Sequence, residues 1–378
     1  MSKAKNPTRI WLSQPHFESS DIEYISSLFE RSGMATAYQN VGIFEEKLAA
    51  KLGQNVVALS SCTGAIHLAI KALEIKENDT VICSTFTFAA SANPILYEKA
   101  KPVFVDSETL TWNMSPEYLE QAIESEIKNG QKPKAVIVVH AYGVPAQIDR
   151  ICEICKHYQV PVIEDAAEAL GASYKGKMLG TWGEIGVYSF NNNKVISTGG
   201  GGALTTSQPE IIEKIRYWAS QSREMGLPYY QHEAVGYNYR MGVMAAALGI
   251  AQLEVLEKRV KQRRKIFNFY QENLDEKMLY WQPELTENSY ASRWLSSALI
   301  KGEKVNNFVL YDFLTLNGIE SRFLWKPLHL QPIFKQCAFY GNNIAEQLFN
   351  KGISLPSGND LQLSDLKYVS QKISNLLL

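Results

Sequence analysis

The segment Ser189-Phe190-Asn191-Asn192-Asn193-Lys194-Val195-Ile196-Ser197-Thr198-Gly199-Gly200-Gly201-Gly202 decides how the chain is read. It joins one apolar run, Ile185-Gly186-Val187-Tyr188, to a second, Ala203-Leu204-Thr205-Thr206, and so sets a lone lysine in tight backbone between two expected strands. Glycines let the backbone adopt positive φ and approach a bound group closely. A lysine shielded from water loses its proton more readily and becomes a nucleophile. Lys194 is therefore a candidate for an imine with an aldehyde cofactor. A solvated lysine beside an ordinary glycine turn has the same local pattern, so the reading depends on the rest of the chain.

Upstream, Val160-Pro161-Val162-Ile163-Glu164-Asp165-Ala166-Ala167-Glu168 reads as a buried strand that ends in an acid. Open α/β sheets bind ligands at that edge. Pyridoxal phosphate needs a carboxylate against its pyridine nitrogen, because a protonated ring withdraws electrons from a developing carbanion. The alternative for Asp165 is an N-cap opening a helix over Ala166–Leu170; Lys194 favours the cofactor. A third element reads as strand, turn and helix start: Val56-Val57-Ala58-Leu59, Ser60-Ser61-Cys62-Thr63-Gly64, then Ala65-Ile66-His67-Leu68-Ala69-Ile70. The unpaired N–H groups and positive dipole end of a first helical turn suit a phosphate.

With these elements in order, the chain resembles the DegT/DnrJ/EryC1/StrS family of pyridoxal-phosphate-dependent nucleotide-sugar aminotransferases over nearly its whole length. The likeness includes Phe86-Thr87-Phe88-Ala89-Ala90-Ser91-Ala92-Asn93-Pro94, Pro102-Val103-Phe104-Val105-Asp106, His140-Ala141-Tyr142-Gly143, Gly236-Tyr237-Asn238-Tyr239-Arg240-Met241 and Ala251-Gln252-Leu253. It implies Lys194 as the imine-forming lysine and proton shuttle, and Asp165 as partner of the pyridinium. It implies Phe88 stacked on the ring, Glu168 near the phenolic oxygen, and Thr63, Gly64 and Ser189 around the phosphate. Asn238 is implied to reach the partner subunit's phosphate site in a homodimer with shared active sites, with Arg240 beside it as an alternative. Many relatives have Ser-Gly-Thr-Ala where this chain has Ser61-Cys62-Thr63-Gly64, and His or Phe at Asn191. Dehydratase relatives carry histidine at the lysine position, so the retained Lys194 favours transamination.

The C-terminal segments Glu320-Ser321-Arg322-Phe323-Leu324-Trp325-Lys326-Pro327-Leu328-His329-Leu330-Gln331-Pro332 and Gly352-Ile353-Ser354-Leu355-Pro356-Ser357-Gly358 are similar to the branch that acts on UDP-linked 4-keto-6-deoxy-N-acetylhexosamines, as in bacillosamine biosynthesis. Arg322, Lys326 and His329 offer donors to a pyrophosphate. Trp325 suits a sugar or base, and ordinary packing suits it equally. The resemblance implies transfer of an amino group from an amino acid, L-glutamate by family, to the C4 keto group. The nearest alternatives are a C3 aminotransferase, a perosamine-type enzyme acting on a GDP sugar, and a dehydratase using pyridoxamine phosphate. A non-catalytic cofactor-binding regulator is a rival from another class, without a helix-turn-helix or basic appendage to support it.

At 378 residues the chain is long enough for two domains. Apolar strands alternate with helical patterns from Val56 to Thr206, at Thr80–Thr85, Pro102–Asp106, Ala135–His140, Val160–Asp165, Gly186–Phe190 and Gly202–Thr206. Such alternation implies an α/β fold with a mainly parallel sheet between helices. The resemblance implies the fold-type I aminotransferase architecture: an N-terminal arm and large cofactor domain over 1–250, and a smaller C-terminal α+β domain over 251–378. Met244–Phe269 reads as one long helix with a solvated basic face of Lys258, Arg259, Lys261, Arg263, Arg264 and Lys265.

With 38 Lys plus Arg against 39 Asp plus Glu, nothing points to nucleic acid. Met1–Pro7 lacks the apolar core of a signal peptide, and no window reaches transmembrane length, so a soluble cytoplasmic enzyme is expected. Cys152 and Cys155 form a CxxC on an expected helix over Gln147–Tyr158. With no second pair at zinc spacing, they read as structural, and no metal is expected. His67 reads as a core histidine, whereas His140, at a strand end, has both a core and a site reading.

Overall fold

Short runs of β-branched and apolar residues, buried on both faces, form the central sheet of the computed structural model, which describes residues 9–36, 39–285, 288–302 and 304–377. Its strands are β1 (Asn55–Leu59), β2 (Thr80–Ser84), β3 (Lys101–Val105), β4 (Ala135–Val139), β5 (Val162–Asp165), β6 (Ile185–Ser189) and β7 (Gly202–Thr206). A second sheet takes β8 (Leu279–Trp281), β9 (Ser296–Ile300), β10 (Arg322–Phe323) and β12 (Gly352–Leu355), while β11 (Phe339–Tyr340) returns to the first. The large sheet has eight strands in the order β1-β7-β6-β5-β4-β2-β3-β11. Every neighbouring pair is parallel except the two that β7 makes, with β1 and β6. The C-terminal ends of β4, β5 and β6 therefore share one edge, where Asp165 and Ser189 lie, and the loop carrying Lys194 leaves and re-enters the sheet there. The second sheet is antiparallel throughout and is packed by Phe267, Tyr270, Trp281, Leu310, Leu314 and Val369.

Expected strands recur within one or two residues of their places. Met244–Phe269 instead forms two helices, α4 (Val243–Glu254) and α5 (Leu256–Asn273), parted at Val255 (φ −102, ψ 2). No proline or glycine marks the break; tertiary packing makes it. Among the helices earlier in the chain are α1 (Ser19–Thr36), α2 (Gln39–Leu52) and α3 (Cys62–Ala72). The apolar helix α4 lies on α2, so close that a Cβ at Gly249 would sit 2.6 Å from the ring of Phe44. The basic face on α5 is corrected in part: Arg259 and Arg263 are each 1% exposed, and Arg264 is held by Glu284 and the Ala291 carbonyl.

A three-stranded patch of Ser173–Tyr174, Lys177–Met178 and Ser289–Tyr290 draws the later chain back across the large sheet. Just beyond it, Ser292 and Trp294 donate their N–H groups to the carbonyls of Gly143 and Tyr142 (2.9 and 3.0 Å), which carries Trp294 to the ligand edge. Among the described residues no helix is long and apolar enough to cross a membrane, and no cluster of His, Cys, Asp and Glu could hold a metal. Met1–Pro7 lies outside the described residues.

Replacing Gly249 with Val forces α4 off α2. The expected cost is about 1–3 kcal/mol, the usual penalty of overpacking a core, read as a lower urea midpoint with an unchanged slope. An unchanged midpoint would mean that the two helices do not meet as described.

Candidate active site

The strand-end residues converge on a cleft of about 740 Å³ at the C-terminal edge of the sheet. Its floor holds Asp165, Glu168, Ser189 and Lys194, and its near wall holds Ser60, Ser61, Cys62 and Thr63. Asp165 is the last residue of β5. One of its carboxylate oxygens accepts from Ser91 Oγ at 2.6 Å, and Ser91 is in turn linked to Thr87 Oγ1 at 2.7 Å. The other accepts the N–H of Ala167 at 3.1 Å. Residues beyond Asp165 form turns rather than a helix, so the N-cap alternative fails.

Lys194 sits in a tight loop closed by Lys194 N–H to the Asn191 carbonyl (3.0 Å) and Thr198 N–H to the Phe190 carbonyl (2.9 Å). Its Nζ donates to Glu168 Oε1 at 3.1 Å and lies 4.1 Å from the centre of the Trp294 ring. Glu168 Oε2 accepts the N–H of Tyr142 at 2.8 Å. Burial raises the Glu168 carboxyl to about 7 against the pull of the Lys194 charge and of the Tyr142 N–H; the negative charge of Asp165 adds to the rise. A carboxyl near 7 beside an amine can take or release a proton at working pH.

On the near wall, Ser61 caps α3 by accepting the Gly64 N–H at 3.0 Å. The cleft is lined by Ser60 through Thr63, whereas Gly64 is buried behind them against the ring of Tyr239. Opposite lies a stack of aromatics. Tyr142 and Trp325 are stacked at 4.4 Å, and Tyr142 and Trp294 run parallel at 6.2 Å. Tyr142 adopts φ 56, a left-handed conformation that costs a non-glycine residue about 1–3 kcal/mol. Trp325 thus packs and lines the cleft at once. Phe88 lines it too and is 65% exposed, which leaves its ring face free.

Other expected residues fall elsewhere. Arg322 lines the cleft, paired with Glu320 at 2.6 Å, but Lys326 is exposed outside the lining. The expectation of a substrate contact for His329 does not match its surroundings. Its ring is stacked on Phe339 at 3.8 Å, Nδ1 is bonded to Thr85 Oγ1 at 2.7 Å, and Nε2 faces Glu346 at 3.2 Å. Asn238 and Arg240 are exposed and absent from the cleft lining, although the carbonyl of Tyr239 between them accepts the Ser60 N–H at 2.7 Å. His140 is a core group. Its Nδ1 accepts the Ala146 N–H at 3.2 Å, so Nε2 carries the proton donated to Glu164 Oε2 at 3.0 Å. His67, bonded to Glu98 at 2.8 Å, is likewise buried. Burial pushes the Cys152 thiol up to about 12, and Cys155 rises further, so neither is a ready thiolate.

Sequence reasoning missed Trp294, Ser91, Leu12 and Ser13 in the lining, and Tyr142 beyond its place in a quoted segment. Trp294 had no local signal. Ser91 lay inside the Phe86–Pro94 segment, where two hydroxyls spaced like Thr87 and Ser91 on one turn were the available sign.

The raised Glu168 carboxyl makes a pH prediction. The folded protein holds a proton that the unfolded chain releases above pH 4.5, so this contribution to stability is lost as pH rises to about 7. The thermal midpoint of cofactor-free protein should fall across that window more in the wild type than in Glu168→Gln. Parallel profiles would place the carboxyl at its ordinary value.

The residues fit pyridoxal phosphate: an amine in a shielded cleft, a strand-end carboxylate held on both oxygens, and a hydroxyl-lined turn at a helix start for the phosphate. The DegT/DnrJ/EryC1/StrS aminotransferase family model matches residues 17–374. EpsN of Bacillus subtilis (strain 168), whose name describes a pyridoxal phosphate-dependent aminotransferase, is 47% identical over 362 residues, 93% of this chain and 92% of that one. The GDP-perosamine synthase of Escherichia coli O157:H7 is 34% identical across 96% of both chains. The UDP-4-amino-4,6-dideoxy-N-acetyl-beta-L-altrosamine transaminase of Campylobacter jejuni subsp. jejuni serotype O:23/36 (strain 81-176) is 30% identical across 97% of both. The chain belongs to the DegT/DnrJ/EryC1/StrS family and is a pyridoxal-phosphate-dependent sugar aminotransferase of fold-type I architecture.

Proposed function

We propose that the protein transfers an amino group from L-glutamate to the C4 keto group of a UDP-linked 4-keto-6-deoxy-N-acetylhexosamine. The observation that carries the transfer chemistry is Lys194 Nζ held between Glu168 and the face of Trp294, in the same cleft as Asp165. When bound, pyridoxal phosphate supplies an aldehyde that accepts the amino group and a ring that withdraws electrons from the neighbouring carbon. Asp165, whose carboxylate Ser91 holds in place, would keep a proton on the pyridine nitrogen. Ser61, Thr63 and Ser189 would hold the phosphate, and Phe88 would offer its ring face to the cofactor. Lys194 Nζ removes a proton from Cα of the amino acid and later returns one to the sugar carbon that becomes amine-bearing. Glu168 balances the ammonium form of Lys194 between these steps.

The UDP branch is supported by Glu320–Pro332 and Gly352–Gly358, which place Arg322 and Trp325 in the cleft wall. The similarity to the GDP-perosamine synthase favours a second reading, a GDP-linked 4-keto-6-deoxy sugar. We assign residues 1–250 to the cofactor domain and 251–378 to the smaller one. Asn238 and Arg240 are exposed, as are the apolar side chains of Met225, Tyr230 and Val235 a little earlier in the chain, and this supports a homodimer in which Asn238 and Arg240 serve the partner's cleft. Five free cysteines suit the reducing cytoplasm.

The purified enzyme should lose its cofactor absorption band on addition of L-glutamate and regain it with UDP-4-keto-6-deoxy-N-acetylglucosamine. Recovery with a GDP-linked keto sugar alone would move the substrate to the second reading. Lys194→Ala should abolish turnover while still binding cofactor, and normal turnover in that variant would sink the mechanism.

A further inference from the structure

Arg263 stands outside the groups that the transfer chemistry uses, yet it is among the most deeply buried large side chains of the molecule. Taking a guanidinium from water is costly unless a carboxylate pairs with it, and among the described residues Arg263 forms no salt bridge. Arg259, one turn earlier on α5, is buried as well and repels it. Burial lowers the Arg263 guanidinium to about 9, with Asp360 opposing the shift and Arg259 adding to it. A core that needed only packing would hold an apolar side chain here.

The donors of Arg263 go to oxygens that surround the lysine loop. Nη2 reaches Ser13 Oγ at 3.0 Å and the Lys194 carbonyl at 3.4 Å, Nη1 donates to the Trp294 carbonyl, and Nε donates to Asn359 Oδ1 at 2.9 Å. Two of these partners bond onward to one point. Ser13 Oγ donates to the Asn193 carbonyl at 2.8 Å, and Trp294 Nε1 donates to the same oxygen at 2.6 Å. The bonds close into a ring through Arg263, Ser13, Asn193 and Trp294. Within it, the carbonyls on either side of the Asn193–Lys194 junction are gripped by three donors from three distant parts of the chain. Ser13 itself is fixed, because Ile10 and Leu12 are tied to Gly318, Glu320 and Ser357.

We propose that Arg263 is the positioning residue of Lys194, holding the lysine backbone through a closed net with Ser13 and Trp294 so that Nζ swings over a fixed arc between Glu168 and the substrate. The inference rests on the role of Lys194 given above. A planar fork with its donors at fixed angles suits this work, and a lysine ammonium does not. Misplacement of a reacting group by about 1 Å costs about a hundredfold in rate.

The test uses full-length enzyme carrying Arg263→Met, Arg263→Lys or Ser13→Ala. Two readouts are needed: kcat and KM with both substrates, and the rate at which cofactor-free protein takes up pyridoxal phosphate as an imine trapped on Lys194 by borohydride. Arg263→Met should lower kcat about a hundredfold with KM little changed and should slow imine uptake, with Arg263→Lys remaining impaired. Ser13→Ala, at a half-buried site, should keep the wild-type thermal midpoint, slow imine uptake, and lose about tenfold in kcat; it serves where Arg263→Met does not fold. Wild-type kcat and uptake in Ser13→Ala, or losses in Arg263→Met that vanish below its melting range, would overturn the inference. A wild-type protein that forms no imine on Lys194 would overturn the parent reading as well.

Discussion

The backbone contact between Gly202 and the start of α3 is the constraint on which the cleft depends. A Cβ at Gly202 would lie 2.4 Å from the amide nitrogen of Cys62 and from the carbonyl carbon of Ser61, so only glycine lets β7 pass the phosphate turn. β7 is also the strand that runs against its neighbours, between β1, which leads into that turn, and β6, which leads into the lysine loop. One antiparallel strand thereby sews the turn and the loop into a single wall. A shift of β7 by one residue would turn its side chains to the opposite face and carry Gly202 away from Ser61 and Cys62.

Charge is distributed in this wall with an evident division of labour. Buried carboxylates that only support the fold are fully occupied. Glu164 takes the N–H groups of Gly180, Trp182 and Gly183 together with His140, and Asp106 takes those of Ser107, Asn342, Ile344 and Ala345. Glu168, by contrast, has one backbone donor and the Lys194 amine, and burial raises its proton affinity into the working range.

How much of this could be read beforehand follows from range. Lys194, Asp165 and the Ser60–Thr63 turn each announce themselves within a few residues, through an apolar run, a polar strand end and small turn residues. Their types and order were therefore legible. The Ser61 cap on the Gly64 N–H was not legible, because it is a matter of rotamer, not pattern. Residues whose partners lie far along the chain were not legible. His329 and His140 looked available until Thr85, Glu346 and Glu164 filled their ring nitrogens. Arg263 looked like one more surface charge because the oxygens it gathers come from Ser13, Lys194, Trp294 and Asn359. The break at Val255 belongs with these, since α4 follows α2 and α5 follows the second sheet.

The cleft lining also carries an imbalance that the chemistry must meet. Its described residues include two cations, Lys194 and Arg322, against three carboxylates, Asp165, Glu168 and Glu320, and Arg322 is already paired with Glu320. A phosphorylated cofactor and a nucleotide diphosphate both add negative charge. The first turn of α3 offers a dipole equivalent to about half a charge, which is short of neutralising either ligand. We propose that further positive charge comes from beyond this lining. Arg240 fits the requirement: it is exposed, and its segment runs along the end of β1 beside the phosphate turn, bridged to Leu59. A second copy of the chain presenting that arginine would supply both the missing charge and a reason for its exposure.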